Sequence, residues 1–236
     1  MQLSKLENEV YEKLKKNRIV VFKIKDLCLL LNINKIKAYN IIKSLKQKNI
    51  IKKIGKGFFS FKEFDELVIS TIINSPSYIS FWSALGYYGF SDNSPKKIFL
   101  ATTKYSKEIS NFKYITLNKK RFFGYTKIGG IIIADKEKAI IDSLLLPKYS
   151  GGVKVLIHCI KAAFNDLDLN KLFDYALKIK SKAVLRRLGY ILEEIGYKGS
   201  LNILKKNIGK GYELLDPSLS RKNNLNIKWL LDVNIQ

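Results

Sequence analysis

The sequence predicts an α+β protein in two parts, a small basic unit over residues 1–62 and a larger mixed unit of strands and helices over 63–236. Three observations carry this reading. At 236 residues the chain exceeds the roughly 100 to 200 residues of an ordinary domain. Hydrophobic residues make up 47% against only four prolines, enough apolar content to bury a core and to exclude a disordered polycation. Helix-spaced and strand-spaced segments follow one another in blocks, whereas a doubly wound sheet would alternate them regularly.

Leu3, Leu6, Val10 and Leu14 recur at helical spacing, with Glu7, Glu9 and Glu12 early and Lys13, Lys15 and Lys16 late, as the helix macrodipole favours. An extended stretch, Ile19 to Phe22, precedes a second helix through Ile24, Leu27, Cys28 and Leu31, which Asn32-Ile33-Asn34 interrupts. Asn34 is expected to cap a third helix, Lys35 to Gln47, whose Ala38, Ile41, Ile42 and Leu45 form one apolar stripe. Ile50 to Ile54 and Phe58 to Phe61, joined through Gly55-Lys56-Gly57, read as a hairpin. Helix, strand, helix, turn, helix, hairpin is the order of a winged helix-turn-helix.

Glu63, Asp65 and Glu66 break the basic run where the second part begins. Helices are expected at Leu67 to Asn74 and, rich in aromatics, at Tyr78 to Phe90, the latter ended by Ser91-Asp92-Asn93-Ser94-Pro95. Ile98 to Thr103, Phe112 to Leu117, Arg121 to Ile128 and Gly130 to Ala134 read as a strand meander. A helical series packs with it: Asp135 to Leu146, Gly152 to Phe164, Asp168 to Ile179, Lys182 to Ile195 and a weaker one at Ser200 to Ile208. Extended pieces at Tyr212 to Leu215 and Ile227 to Val233 close the chain.

The charge sets the class of partner. Lys plus Arg number 43 against 20 for Asp plus Glu, a formal +23, and residues 1–60 alone hold 15 basic and 4 acidic side chains. A surface so dense in cations attracts a polyanion, nucleic acid or an anionic membrane. No apolar run approaches the roughly 18 residues needed to span a bilayer, so no membrane partner and a cytoplasmic location are expected. Cys28, Cys159 and the single His158 form no zinc or disulfide pattern, and His158 is expected in the core.

If Ala38, Ile42 and Leu45 of the third helix face inward, about 100° per residue places Asn40, Lys43 and Gln47 opposite, with Lys37 and Ser44 alongside. The expected DNA-binding set is Lys35, Lys37, Tyr39, Asn40, Lys43, Ser44 and Gln47 on that helix, with Lys52, Lys53 and Lys56 on the hairpin. Lysines neutralise phosphates, while Asn40 or Gln47 can pair bidentately with an adenine edge. Only Arg18 supplies a guanidinium here, so the commonest guanine contact is scarce and an AT-leaning operator of double-stranded DNA is expected. In the second part, Arg186 and Arg187 lie side by side and mark a possible functional surface, their partner being an internal carboxylate or a nucleic-acid phosphate. Tyr87 and Tyr88 read as core or as an exposed surface.

The rival class is a nuclease tethered to DNA by the basic unit, with Asp135, Glu137 and Asp142 as its credible acids. Glu137 is adjacent to Lys138 instead of one residue away, the acids fall at a helix start, and no nucleotide-binding or nucleophile motif occurs. Asp135 is instead expected to cap that helix and Asp142 to pair with a base inside the fold. The reading is no enzyme, no cofactor and no metal.

The segments Tyr78 to Phe90, Pro95 to Thr103, Ile133 to Asp142, Pro147 to Gly152 and Arg187 to Glu193 resemble, in order, the AbiEi antitoxins of AbiE-type toxin-antitoxin phage-defence systems. The resemblance spans roughly Leu3 to Ile195, and the tail from about Ser200 matches none of its motifs. It implies a DNA-binding N-terminal domain that represses its own operon at inverted repeats; two-fold repeats match either a dimer or two monomers, and both stay open. It also implies a C-terminal domain that counteracts a nucleotidyltransferase-like toxin without needing to bind it. A regulator linked to defence but lacking a toxin is the alternative.

Overall fold

The computed structural model describes residues 2–55, 57–93 and 95–235, an α+β fold with two hydrophobic cores. The first core lies within α1 (Lys5–Lys16), β1 (Val21–Phe22), α2 (Ile24–Leu31), α3 (Lys35–Gln47), β2 (Ile51–Lys53) and β3 (Phe59–Phe61). Val10, Leu14, Leu27, Ala38, Ile42 and Leu45 meet there, the helix-spaced apolar positions of the sequence. Ser4 and Glu7 close a capping box on α1, and Asn34 caps α3 by accepting the Lys37 amide at 2.8 Å. Asn32 takes the left-handed conformation, φ 51°, that ends α2 and swings the chain into α3. The three strands form one antiparallel sheet ordered β1-β3-β2.

The second core is built on α4 (Glu66–Ile73), β4 (Ser77–Ile79), α5 (Phe81–Tyr87), β5 (Ile98–Thr102), β6 (Lys107–Ile109), β7 (Phe112–Thr116), β8 (Tyr125–Ile128) and β9 (Ile131–Ala134). These six strands make one mixed sheet in the order β6-β7-β5-β4-β9-β8. The expected meander is therefore corrected: β5 pairs parallel with β7 and β4 parallel with β9, so the chain leaves and re-enters the sheet. The expected helix from Tyr78 to Phe90 is also corrected, because Tyr78 and Ile79 lie in a strand between β5 and β9 and only Phe81 onward is helical. A strand buried on both faces shows no alternation, which is why Tyr78-Ile79 reads as part of the aromatic helix that follows. Ser94, within the expected turn after that helix, lies outside the described residues.

Helices α6 (Lys136–Leu145), α7 (Gly152–Ala163), α8 (Leu169–Lys178) and α9 (Lys182–Glu194) follow, close to their expected limits. The tail adds a short α10 (Asn202–Lys205) and a three-stranded sheet of β10 (Glu213–Leu214), β11 (Leu225–Asn226) and β12 (Leu231–Asp232). The two cores adjoin. Ile54 belongs to the second, Val20, Val21 and Phe58 pack against it, and a Cβ on Gly55 would stand 3.2 Å from Ile109. Among the described residues no helix is long and apolar enough to cross a membrane.

Candidate nucleic-acid interface

Helix α3 sorts its side chains into three strips. Ala38, Ile41, Ile42 and Leu45 are buried. Lys37, Ser44 and Lys48 turn toward α1. There Glu7, itself buried, accepts from the Ser44 hydroxyl and pairs with the Lys48 ammonium at 2.5 Å. Ser44 is thus removed from the expected DNA-facing set, because a buried carboxylate on α1 takes its hydroxyl. Lys48, Ser44 and the Ser4 amide together hold the Glu7 carboxyl down at about 2. Lys37 stands close enough to α1 to contribute, after Lys13, to the lowered Glu9 carboxyl.

The remaining strip faces solvent. Tyr39, Lys43, Lys46 and Gln47 line one wall of an open groove of about 500 Å³ whose other wall is Lys53 and Phe59 of the hairpin. Lys35, Asn40 and Ile36 are exposed on the same helix, and Ile36 is 75% exposed although it is aliphatic. By helical angle, Ile36, Asn40, Lys43 and Gln47 are the residues most nearly opposite the buried stripe. Alternation along β2 sends Lys52 the other way, where its ammonium reaches the Phe64 carbonyl at 3.3 Å. Lys52 therefore ties the hairpin to the second part and lies off the groove, and Lys56 lies outside the described residues.

The arrangement brings together Tyr39, Lys43, Gln47 and Lys53 from the expected set and adds Lys46 and Ile36, which the sequence reading missed. The charge of the strip was legible, but its second wall depends on where the hairpin folds back. Asp26, the one acid between Arg18 and Lys56, accepts the Lys23 amide at 2.7 Å at the start of α2 and is not among the residues that line the groove. A helix face carrying donors, an amide side chain and an exposed aliphatic, with a cation opposite, can neutralise phosphates and read base edges.

The acids and arginines of the second part are placed differently. Asp142 is fully buried, paired with Lys138 and accepting from Tyr78 at 2.9 Å and Ser80 at 2.8 Å. Burial lowers the Lys138 ammonium from its ordinary value while Asp142 opposes the shift, and burial followed by Asp142 raises the Tyr78 phenol. Asp135 begins α6 without a side-chain cap; Tyr175 donates to it at 2.9 Å and Lys171 pairs with it at 3.1 Å. Glu137 accepts the Asp168 amide at 3.1 Å and pairs with the same Lys171 at 3.2 Å. Among the described residues no three His, Cys, Asp or Glu side chains gather as a metal site would require.

Arg186 and Arg187 are buried, and neither expected partner holds them. Arg186 donates to the Ile208 and Lys210 carbonyls at 2.8 and 2.9 Å. Arg187 donates to Leu215, Leu144 and Leu214 carbonyls at 2.8, 2.9 and 3.0 Å. Their forked donors fasten the tail onto α9 and α6, so the expected functional surface there is corrected to an internal clamp. His158 is exposed, corrected from the core, because it falls about 200° from Leu156 on α7. Tyr87 and Tyr88 divide, Tyr87 exposed and Tyr88 half-buried with its hydroxyl on the Ala134 carbonyl at 2.8 Å.

Comparison with protein-family models returns no match for this chain. Comparison with curated proteins returns none either.

Proposed function

We propose that residues 1–62 form a winged helix-turn-helix and that the protein is a sequence-specific regulator of transcription that binds double-stranded DNA through α3. The carrying observation is the groove in which Tyr39, Lys43, Lys46 and Gln47 of α3 face Lys53 of the hairpin. On this reading α3 enters the major groove and Lys53 follows the flanking backbone. Lys43, Lys46 and Lys53 neutralise phosphates, and amides at the Asn34-capped start of α3 take another. Asn40 pairs with an adenine edge, and Ile36, one turn earlier on the same strip, meets a thymine methyl. That pair of contacts favours an A·T-rich site.

Selection of bound sites from random duplexes, repeated with Asn40→Ala and Ile36→Ala, tests the assignment. Each variant should relax one base position, by about 1 to 3 kcal/mol for Asn40. Selected sites rich in G·C at the contacted positions, or an unchanged preference in both variants, would reject it.

The ordered resemblance to AbiEi antitoxins supports a narrower role, in which the protein represses its own operon and opposes a nucleotidyltransferase-like toxin. Coexpression with the product of the adjacent gene decides this: restored growth supports an antitoxin, and no rescue leaves a regulator without a toxin.

A further inference from the structure

The loop between β5 and β6 holds Tyr105 at 93% exposure. Leaving such a ring in water forgoes the stabilisation that burial of a large apolar side chain provides. The loop is nonetheless braced. The Thr116 hydroxyl donates to the Lys104 carbonyl at 2.7 Å, and the Ser106 and Thr116 hydroxyls pair at 2.8 Å. The Thr116 amide donates to the Ser106 hydroxyl oxygen at 2.9 Å, and the Lys104 amide to that of Thr102 at 3.2 Å. The aromatic ring is therefore carried on a fixed support at the mouth of a recess of about 640 Å³ lined by Thr103, Lys104, Tyr105, Lys107 and Thr116.

The charge at this recess is one-sided. Glu108 is the adjoining acid in sequence, and Lys97 at 2.7 Å and Lys113 at 2.5 Å already occupy both of its oxygens. Those two lysines hold its carboxyl down at about 2, Lys113 contributing more. Lys104 and Lys107 make no ion pair among the described residues. An unpacked ring between two available ammonium groups matches a partner that offers flat aromatic faces joined by phosphates. Duplex DNA does not, because its bases are stacked on one another. A bilayer does not either: apart from the ring, the recess is lined by Thr103, Lys104, Lys107 and Thr116, so no large apolar neighbour would enter the lipid with it.

We propose that the β5–β6 loop is a docking site for single-stranded nucleic acid, with a base stacked on Tyr105 and flanking phosphates on Lys104 and Lys107. The site is separate from the α3 groove and does not depend on its role. The test measures binding of fluorescein-labelled 12-nucleotide oligo(U) and oligo(dT) to the full chain at fixed salt, beside a 20-base-pair duplex and anionic phosphatidylserine vesicles. Tyr105→Ala should weaken single-strand binding at least fivefold and Tyr105→Phe should restore it, with duplex affinity unchanged. Lys104→Ala with Lys107→Ala should weaken it and flatten its salt dependence. A 4-thiouridine oligonucleotide should cross-link to the Tyr105 peptide. Unchanged binding in Tyr105→Ala, equal losses on single strands and duplex, or vesicle binding that alone depends on Tyr105 would each overturn the proposal. The melting temperature of Tyr105→Ala, expected to match the wild type, separates these outcomes from misfolding.

Discussion

The Glu7→Gln variant tests what fixes α3 against α1. Glu7 is the buried group through which α1 holds α3, by way of the Ser44 hydroxyl and the Lys48 ammonium. Glutamine preserves the size and one acceptor but removes the charge, leaving Lys48 without its carboxylate. A carboxyl lowered from 4.5 to about 2 corresponds to about 3 to 4 kcal/mol at most. Water reaches Lys48, whose side chain is 18% exposed, so screening reduces the expected loss to about 1 to 2 kcal/mol. Because the folded carboxyl lies below its unfolded value, this stabilisation is complete above about pH 4.5 and is lost as pH falls toward 2. Hydrogen–deuterium exchange of α1 and α3 peptides at pH 7 should therefore be about fivefold to thirtyfold faster in the variant. Comparing the two proteins by urea denaturation should show the gap closing as the pH approaches 2. Equal exchange at pH 7, or a gap that persists at low pH, would refute the reasoning.

Three further substitutions probe the second core. In Gly189→Ala the new methyl would lie 2.2 Å from Trp229 ring carbons, so Trp229 must leave its pocket; a loss of about 2 to 4 kcal/mol and red-shifted tryptophan emission are expected, and unshifted emission would contradict the packing. Arg187→Ala deprives the Leu144, Leu214 and Leu215 carbonyls of their donor, so limited proteolysis should cut the tail beyond Ser200 sooner, while an unchanged digestion pattern would remove the clamp from the account. Asp142→Asn leaves Lys138 buried beside a neutral amide and should cost about 3 to 5 kcal/mol by chemical denaturation, with Asp142→Asn plus Lys138→Met recovering part of it; no recovery would argue against the pair.

The helices were legible wherever one face met the core. The stripe of Ala38, Ile41, Ile42 and Leu45 gives α3 its limits and its outward strip because period and burial agree there. What escaped depended on partners distant in sequence. Tyr78 and Ile79 became a strand through pairing with β5 and β9. Ser44 and Lys52 left the expected face because Glu7 and the Phe64 carbonyl, respectively, take them. Arg186 and Arg187 were read toward carboxylates or phosphates, but backbone carbonyls accept their protons, and carbonyls carry no mark in a sequence. Ile36 was passed over because an aliphatic is not expected on a polar strip, although the helical angle already sets it beside Asn40, and its 75% exposure agrees with that placement.

The most direct measurement of the central claim is the salt dependence of duplex binding by the wild type and by Lys43→Ala plus Lys53→Ala, one residue from each wall of the groove. If both lysines neutralise phosphates, the log–log slope should fall in magnitude by about 1.8, roughly 0.9 for each contact, with little change in sequence preference. An unchanged slope, or wild-type binding to a selected duplex no tighter than to a random one, would contradict a DNA-reading role for α3.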